Sequence, residues 1–141
     1  MLEKTLQRAP EPLPVVVNLA AVLSASGRNT EALATLRRLP SEDLARSEAQ
    51  AALAIAQWHI GVRDSAQMII HRLNRSGTTR ATAMLMATVY AQTGQSDSAF
   101  AALARVEWRR DEVLNLRADP ALDPIRRDPR FIRLLARVGS R

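Results

Sequence analysis

Apolar residues recur along the chain at the spacing of amphipathic helices. In residues 18–39, NLAAVLSASGRNTEALATLRRL, they fall at i, i+3 and i+4 on both sides of a single glycine. This pattern predicts a helix, a short turn and a second helix. Because such a hairpin cannot bury its apolar face alone, we expect it to stack on neighbouring hairpins.

The hairpin pattern repeats along the chain. Gly27, Gly61 and Gly94 are separated by 34 and 33 residues. Four more columns of three residues keep this spacing. Two hold small residues, Ala20, Ala54, Ala87 and Ala32, Ala66, Ala99, and two hold large ones, Leu19, Leu53, Met86 and Leu36, Ile70, Leu103. Alanine allows two helices to approach closely, and glycine can adopt the positive φ that a tight turn needs.

These columns resemble the tetratricopeptide repeat, whose period is about 34 residues. The resemblance implies an all-α fold, a right-handed superhelix of antiparallel helix hairpins with about three repeats and a C-terminal capping helix. It divides the chain into a partial repeat at 1–12, repeats at 13–46, 47–79 and 80–112, and a cap at 113–141. The family often has an aromatic residue where this chain has Leu23, Gln57 and Tyr90. We expect Trp58 to pack in place of Gln57.

The first twelve residues have two interpretations. Leu2 and Leu6 are i, i+4 neighbours, and they are expected to cover the open side of the first full hairpin as the end of a preceding second helix. The chain would then begin within a repeat. Lys4 and Arg8 before an apolar run leave a secretory signal peptide as the alternative. We therefore expect a cytoplasmic protein, or a periplasmic or secreted one if the alternative holds.

The C-terminal stretch contains three Asp-Pro pairs, at residues 119–120, 123–124 and 128–129. Aspartate is a good N-cap and proline suits the first helical position, so each pair predicts a helix start. The first two are expected to open single turns and the third a final helix with one apolar face: Phe131, Leu134, Leu135 and Val138. Residues 108–131 are also similar to the C-terminal ends of repeat regions in bacterial nucleotide cyclases, Ser/Thr kinases and winged-helix regulators. This implies the C-terminal part of a larger signalling or regulatory protein.

The charge is unevenly distributed over the 141 residues. The net charge of +6 lies entirely after Ile70, where thirteen basic residues face seven acidic ones. Mixed signs at helical spacing are typical of a solvated face. Binding of nucleic acid or an anionic surface by this half is a weaker alternative, because the aromatic residues are scattered at positions that suit a core.

The residue types that carry most catalysis are missing or already have structural roles. The chain has no cysteine, and its five glycines fit turns and helix ends, so no phosphate-binding loop is predicted. His59 and His71 lie on different predicted helices without an acidic cluster, which disfavours a metal site. Ser41 is better explained as an N-cap than as a nucleophile. We expect no enzyme, no cofactor, no small-molecule substrate and no membrane span.

The resemblance implies that the first helices of the repeats line a concave surface. Carried over residue by residue, it gives a partner-binding groove made of Val17, Ala21, Ser24, Ala51, Ile55, Trp58, His59, Met84, Thr88 and Gln92. Family members that clamp a peptide carboxylate use lysine and asparagine there, and this chain has apolar residues instead. We therefore expect a scaffold that binds a helical or extended apolar segment of a protein. The alternative is a spacer or dimerisation module whose groove is filled by its own tail or by a second copy.

Overall fold

Three helical hairpins stack along the chain, and a C-terminal segment covers the last of them. The computed structural model describes residues 12–77 and 79–139, and all regular structure in these ranges is helical. The elements are α1 (Leu13–Ala25), α2 (Asn29–Arg37), α3 (Ser41–Leu44), α4 (Ser47–His59), α5 (Arg63–Asn74), α6 (Arg80–Gln92), α7 (Ser96–Leu103), α8 (Val113–Ala118), α9 (Pro129–Gly139) and two 3₁₀ segments (Arg110–Glu112 and Pro120–Ile125). This confirms the predicted all-α fold of repeated hairpins.

The same turn closes each hairpin. Gly27, Gly61 and Gly94 have φ values of +80°, +89° and +75°, a conformation in which other residues are strained. In each turn, the residue after the glycine donates its N–H to the carbonyl five residues earlier, over 2.8, 2.9 and 2.8 Å. These bonds satisfy carbonyls at the end of the first helix that would otherwise lack a partner.

The small-residue columns are buried, as the repeat pattern predicts. The six alanines of the two small columns are at most 1% exposed, and all of them belong to the two core clusters. The column that ends each second helix, Leu36, Ile70 and Leu103, is buried as well. The other large column, which contains Leu19, Leu53 and Met86, is not uniform, because Met86 is fully buried whereas Leu19 is exposed.

Two local expectations are wrong. Gln57 is itself buried, and the Trp58 side chain beside it is only half-buried, so the tryptophan does not replace the glutamine in the core. Burial of the Gln57 amide is unfavourable, since its Oε1 atom has no hydrogen-bond partner. Ser41 is the first residue of α3 and makes no capping hydrogen bond, because Pro40 precedes that helix.

The C-terminal segment lies beside α6 in the place that another first helix would take. At the start of α6, Arg80 Nε lies 3.1 Å from Glu112 Oε1, and at its end Gln92 Nε2 donates to the Ala121 carbonyl over 2.8 Å. The segment therefore runs in the same direction as α6. Its apolar residues belong to the same core cluster as hairpins two and three: Leu116, Leu122, Ile125, Phe131, Leu134 and Val138.

The Asp-Pro pairs act differently from one another. Asp119 and Asp128 each accept a backbone N–H two residues ahead, from Ala121 and Arg130, over 2.9 Å. Asp123 instead accepts from the side chain of Arg126, and Pro124 lies inside the 3₁₀ segment. The first two pairs thus form one continuous 3₁₀ segment rather than two separate turns, and the third opens α9. The predicted roles of Leu2 and Leu6, and the signal-peptide alternative for their segment, concern residues outside the described ranges.

Candidate functional site

The first helices of the three hairpins lie side by side. α1 contacts α4, α4 contacts α6, and α6 contacts the 3₁₀ segment Pro120–Ile125. Two hydrogen bonds link the C-terminal ends of α4 and α6 and then the 3₁₀ segment: His59 Nε2 lies 2.8 Å from the Gln92 carbonyl, and the Gln92 side chain donates to the Ala121 carbonyl. The result is a continuous layer of first helices that begins at α1 and ends under the C-terminal segment.

The ten predicted groove residues differ in how much surface they present. Ala21 and His59 are exposed, and Ala51 and Ile55 are buried in the packing between helices. The other six are half-buried: Val17, Ser24, Trp58, Met84, Thr88 and Gln92. Ala51 and Ile55 therefore offer little surface, and the side chains accessible to a partner come from the remaining eight.

Trp58 is held by two kinds of contact. The side chain packs against the core of hairpins two and three, and the guanidinium carbon of Arg63 lies 4.3 Å from the ring centroid. A cation over the face of a tryptophan is attracted by the negative potential of the ring. The contact fixes the orientation of an aromatic side chain that is still partly accessible.

The C-terminal segment limits the layer of first helices at α6. Gln92 already uses its side-chain amide on Ala121, and Arg80 at the other end of α6 is paired with Glu112. The sequence predicts Gln92 in the groove but not its partner Ala121. The bond is made to a backbone carbonyl, and a backbone carbonyl has no signature in the residue types. Spacing held a signal for the segment: Ala121 lies 34 residues after Ala87, and Ala87 follows Ala54 and Ala20 in the buried column.

A cluster of charged side chains lies at the start of α9 rather than on the first helices. Arg130 donates to Asp128 over 2.9 Å and to Asp97 of α7 over 2.7 Å. These bonds lower the pKa of the Asp128 carboxyl and raise the pKa of the Arg130 guanidinium. A second pair, Arg28 with Glu31 in the first turn, likewise lowers the pKa of its carboxyl through the side-chain hydrogen bond.

The described residues contain no group of three or more His, Cys, Asp or Glu side chains arranged to hold a metal ion. No helix within those ranges is both long and apolar enough to cross a bilayer. The arrangement of the first helices suits contact with another macromolecule through surface burial.

Comparison with known protein families gives a match over the first part of the chain. A family model described as tetratricopeptide repeat matches residues 1–56, which covers hairpin one and most of α4. Repeats of this family are in general non-catalytic and mediate protein interactions. No curated protein and no solved structure matches the chain. The chain is thus a helical repeat protein whose first part is similar to the tetratricopeptide repeat.

Proposed function

We propose that this chain is a non-enzymatic scaffold that binds an apolar or amphipathic protein segment along the layer formed by α1, α4 and α6. The observation that carries the proposal is the layer itself, in which three parallel first helices present partly accessible side chains on consecutive repeats. A surface built from rigid helices holds its binding residues in place, so less ordering entropy is lost on binding.

The chemistry of the accessible residues supports an apolar ligand. Val17, Trp58 and Met84 each contribute partly exposed apolar surface, one from each of the three first helices. Tryptophan is enriched among residues that dominate binding energy, and methionine adapts its shape to different partners. His59 and Thr88 add polar groups that can orient the ligand. We therefore expect the main contribution to affinity from Trp58 and Met84.

The position of the C-terminal segment favours a groove that is accessible over the first two hairpins and narrower at the third, where the segment lies. Gln92 is bonded to that segment, whereas Ala21 and Ser24 of α1 have no such cover among the described residues. A ligand would accordingly lie mainly on α1 and α4 and reach Met84 at its end.

A peptide selection tests this proposal. Twelve-residue peptides selected from a random library against the whole chain are titrated into variants, with affinity measured by fluorescence anisotropy. Ala21→Arg places a bulky charge on the layer at an exposed position, so it should weaken binding on the order of tenfold without affecting folding. Met84→Ala should weaken the same peptides, and Trp58→Ala should weaken them most.

The matched control is Met68→Ala. Met68 is an exposed methionine on the outer face of α5, away from the first helices, so its loss should leave affinity unchanged. Selected peptides that tolerate Ala21→Arg and Met84→Ala but lose affinity with Met68→Ala would contradict the proposed groove.

Self-association is the second candidate, and one observation favours it. Val15, Leu19 and Val22 form an aliphatic stripe along α1 that is exposed to 50%, 45% and 61%. A second copy could cover this stripe. Light scattering over a hundredfold range of concentration separates the candidates, since a constant monomeric mass rules out self-association in that range.

The wider role is the part of the proposal that rests on resemblance alone. From the resemblance of residues 108–131 we infer that the array is the C-terminal part of a larger bacterial signalling or regulatory protein in the cytoplasm. The reading frame upstream of Met1 tests this directly: further half-repeats that follow a catalytic or DNA-binding domain would support it, and an unrelated upstream gene would contradict it.

A further inference from the structure

Six exposed side chains form a single stripe along the outer face of α5. Their positions follow the i, i+3, i+4 and i+7 spacing of one helix face: Asp64, Gln67, Met68, His71, Arg72 and Arg75. Together they line a depression of about 700 Å³, and Met68 near its middle is 66% exposed. The opposite face of α5 is buried in the core, so the stripe faces away from the protein.

Most of the stripe has no partner in the part of the chain that the structure describes. Within residues 12–77 and 79–139, five of the six side chains make neither a hydrogen bond nor an ion pair. The sixth, Arg72, donates to Gln50 Oε1 over 3.5 Å, which leaves other N–H groups of its guanidinium available. Asp64 and Arg75 lie at the two ends of the stripe, about 17 Å apart along the helix axis, too far to neutralise each other. A partner therefore meets a carboxylate at one end and a guanidinium at the other.

The order of residue types along the stripe is complementary to itself in the reverse direction. A second α5 that lies antiparallel, centred on the same midpoint, brings three kinds of pair together: Asp64 with Arg75, Gln67 with Arg72, and Met68 with His71. The first pair joins opposite charges, the second joins an amide oxygen to guanidinium N–H groups, and the third places a thioether beside an aromatic ring. A twofold axis makes each of these contacts twice, because residue i meets j and j meets i.

We propose that the outer face of α5 is a self-association surface, on which a second copy of the chain pairs antiparallel through the same stripe. Charge complementarity selects this occupant, because a partner of one sign would meet a like charge at one end of the stripe. The contact between two single helix faces buries little area, so the dimer is weak, and its ion pairs make it sensitive to salt. The surface is separate from the first-helix groove and from the aliphatic stripe of α1, so a dimer formed through it carries two accessible grooves.

An exchange of charges between two variants tests this pairing. Asp64→Arg and Arg75→Asp each place like charges at both ends of the symmetric contact, so each variant alone should associate on the order of tenfold more weakly than wild type. In an equimolar mixture, one copy of each variant restores opposite charges at both ends, so the mixture should recover association. Sedimentation equilibrium of the whole chain measures the masses between about 10 µM and about 1 mM, the range in which weak complexes dissociate.

Two controls separate this surface from general effects of charge and from the α1 stripe. Arg117→Asp changes the charge of an exposed arginine on α8 by the same amount as Arg75→Asp, and it should associate like wild type. Leu19→Glu, on the α1 stripe, should also leave association unchanged. Because all four substituted positions are exposed, circular dichroism should show nearly the same melting temperature for every variant as for wild type.

Four results would overturn the proposal. The first is a wild-type chain that stays monomeric at about 1 mM. The second is a dimer that Asp64→Arg and Arg75→Asp leave intact. The third is a mixture of those two variants that associates as weakly as each variant alone. The fourth is a dimer that is lost with Leu19→Glu alone, which would place the contact on α1.

Discussion

The two ends of the described stack differ in whether their apolar side chains are covered. At the first end, α1 presents an aliphatic stripe of Val15, Leu19 and Val22 that none of the described residues covers. At the last end, Leu122 and Phe131 of the C-terminal segment are fully buried against hairpins two and three. Among the described residues, the same kind of hairpin is therefore uncovered on one side at the first end and covered at the last.

The repeat itself shows what an inner position of the array requires. One and two repeats further along, the positions of the α1 stripe are filled by Ala49, Leu53, Ala56 and by Thr82, Met86, Val89. There the side chains are buried or half-buried, because the preceding hairpin packs on them. Burial at these positions depends on a neighbour and not on the residue type, since valine at position 22 is exposed and valine at position 89 is buried.

The largest effect is expected at the closed end. Phe131→Ala removes a fully buried ring and leaves a cavity beneath the segment, which should lower the free energy of unfolding by about 3–5 kcal/mol. Urea denaturation followed by circular dichroism measures it. The adjacent Ile132 is 60% exposed, so Ile132→Ala should change the stability by no more than about 0.5 kcal/mol. Similar losses for both variants would mean that the segment does not pack as described.

A single substitution at equivalent positions sharpens the comparison. Ala56→Asp buries a carboxylate between hairpins one and two and should lower the unfolding free energy by about 3 kcal/mol. Val22→Asp, one repeat earlier in the same column, introduces the same group on the exposed stripe and should cost no more than about 0.5 kcal/mol. A large loss for Val22→Asp would show that the stripe is covered in solution.

Gln57 places an unsatisfied polar group inside the array, and a substitution can remove it. Its side chain is 7% exposed and its Oε1 atom is buried without a partner, whereas Leu23 fills the equivalent place one repeat earlier. Gln57→Leu should therefore raise the free energy of unfolding by about 1 kcal/mol. Thermal denaturation checks it, with Gln67→Leu on the exposed face of α5 as the control that should leave the melting temperature unchanged.

The smallest effect concerns acid stability at the closed end. Hydrogen bonds from Arg130 lower the pKa of Asp128 from its ordinary value of 3.8, so this carboxylate stabilises the folded state above that pH. The contribution is lost as the pH falls through the lowered pKa. Between about pH 5 and pH 2, the melting temperature of the wild-type protein should fall further than that of the Asp128→Asn variant. Parallel acid profiles for the two proteins would contradict the pairing.

The sequence predicted those features that local chemistry dictates. The three turns follow from glycines that need positive φ, and the alanine columns follow from close helix crossings, so their spacing alone located the hairpins. The spacing of Ala121 after Ala87 signals one more position of the alanine column, but it does not predict which contacts hold the C-terminal segment on α6. That placement depends on Glu112 and Ala121 reaching Arg80 and Gln92, contacts between residues about 30 apart that have no local signature.

The candidate site was less predictable than the fold. Which face a first-helix residue presents follows from helical periodicity, but whether it stays accessible depends on its neighbours. Ala51 and Ile55 share the predicted groove with Trp58 and are nonetheless buried. The hydrogen bond from Arg130 of α9 to Asp97 of α7 joins residues 33 apart. The sequence did not predict it, because the mixed charges of this region were interpreted as a solvated face.

Hydrogen–deuterium exchange tests the contrast between the two ends most directly, because α1 and α6 are first helices of the same length, 13 residues each. An element that is packed on one side only opens at a lower free energy than one packed on both. We predict that the amides of α1 exchange markedly faster than those of α6 in the same sample. Equal or slower exchange in α1 would contradict the account, in which the part of the chain that the structure describes leaves one side of the first hairpin uncovered and covers the last.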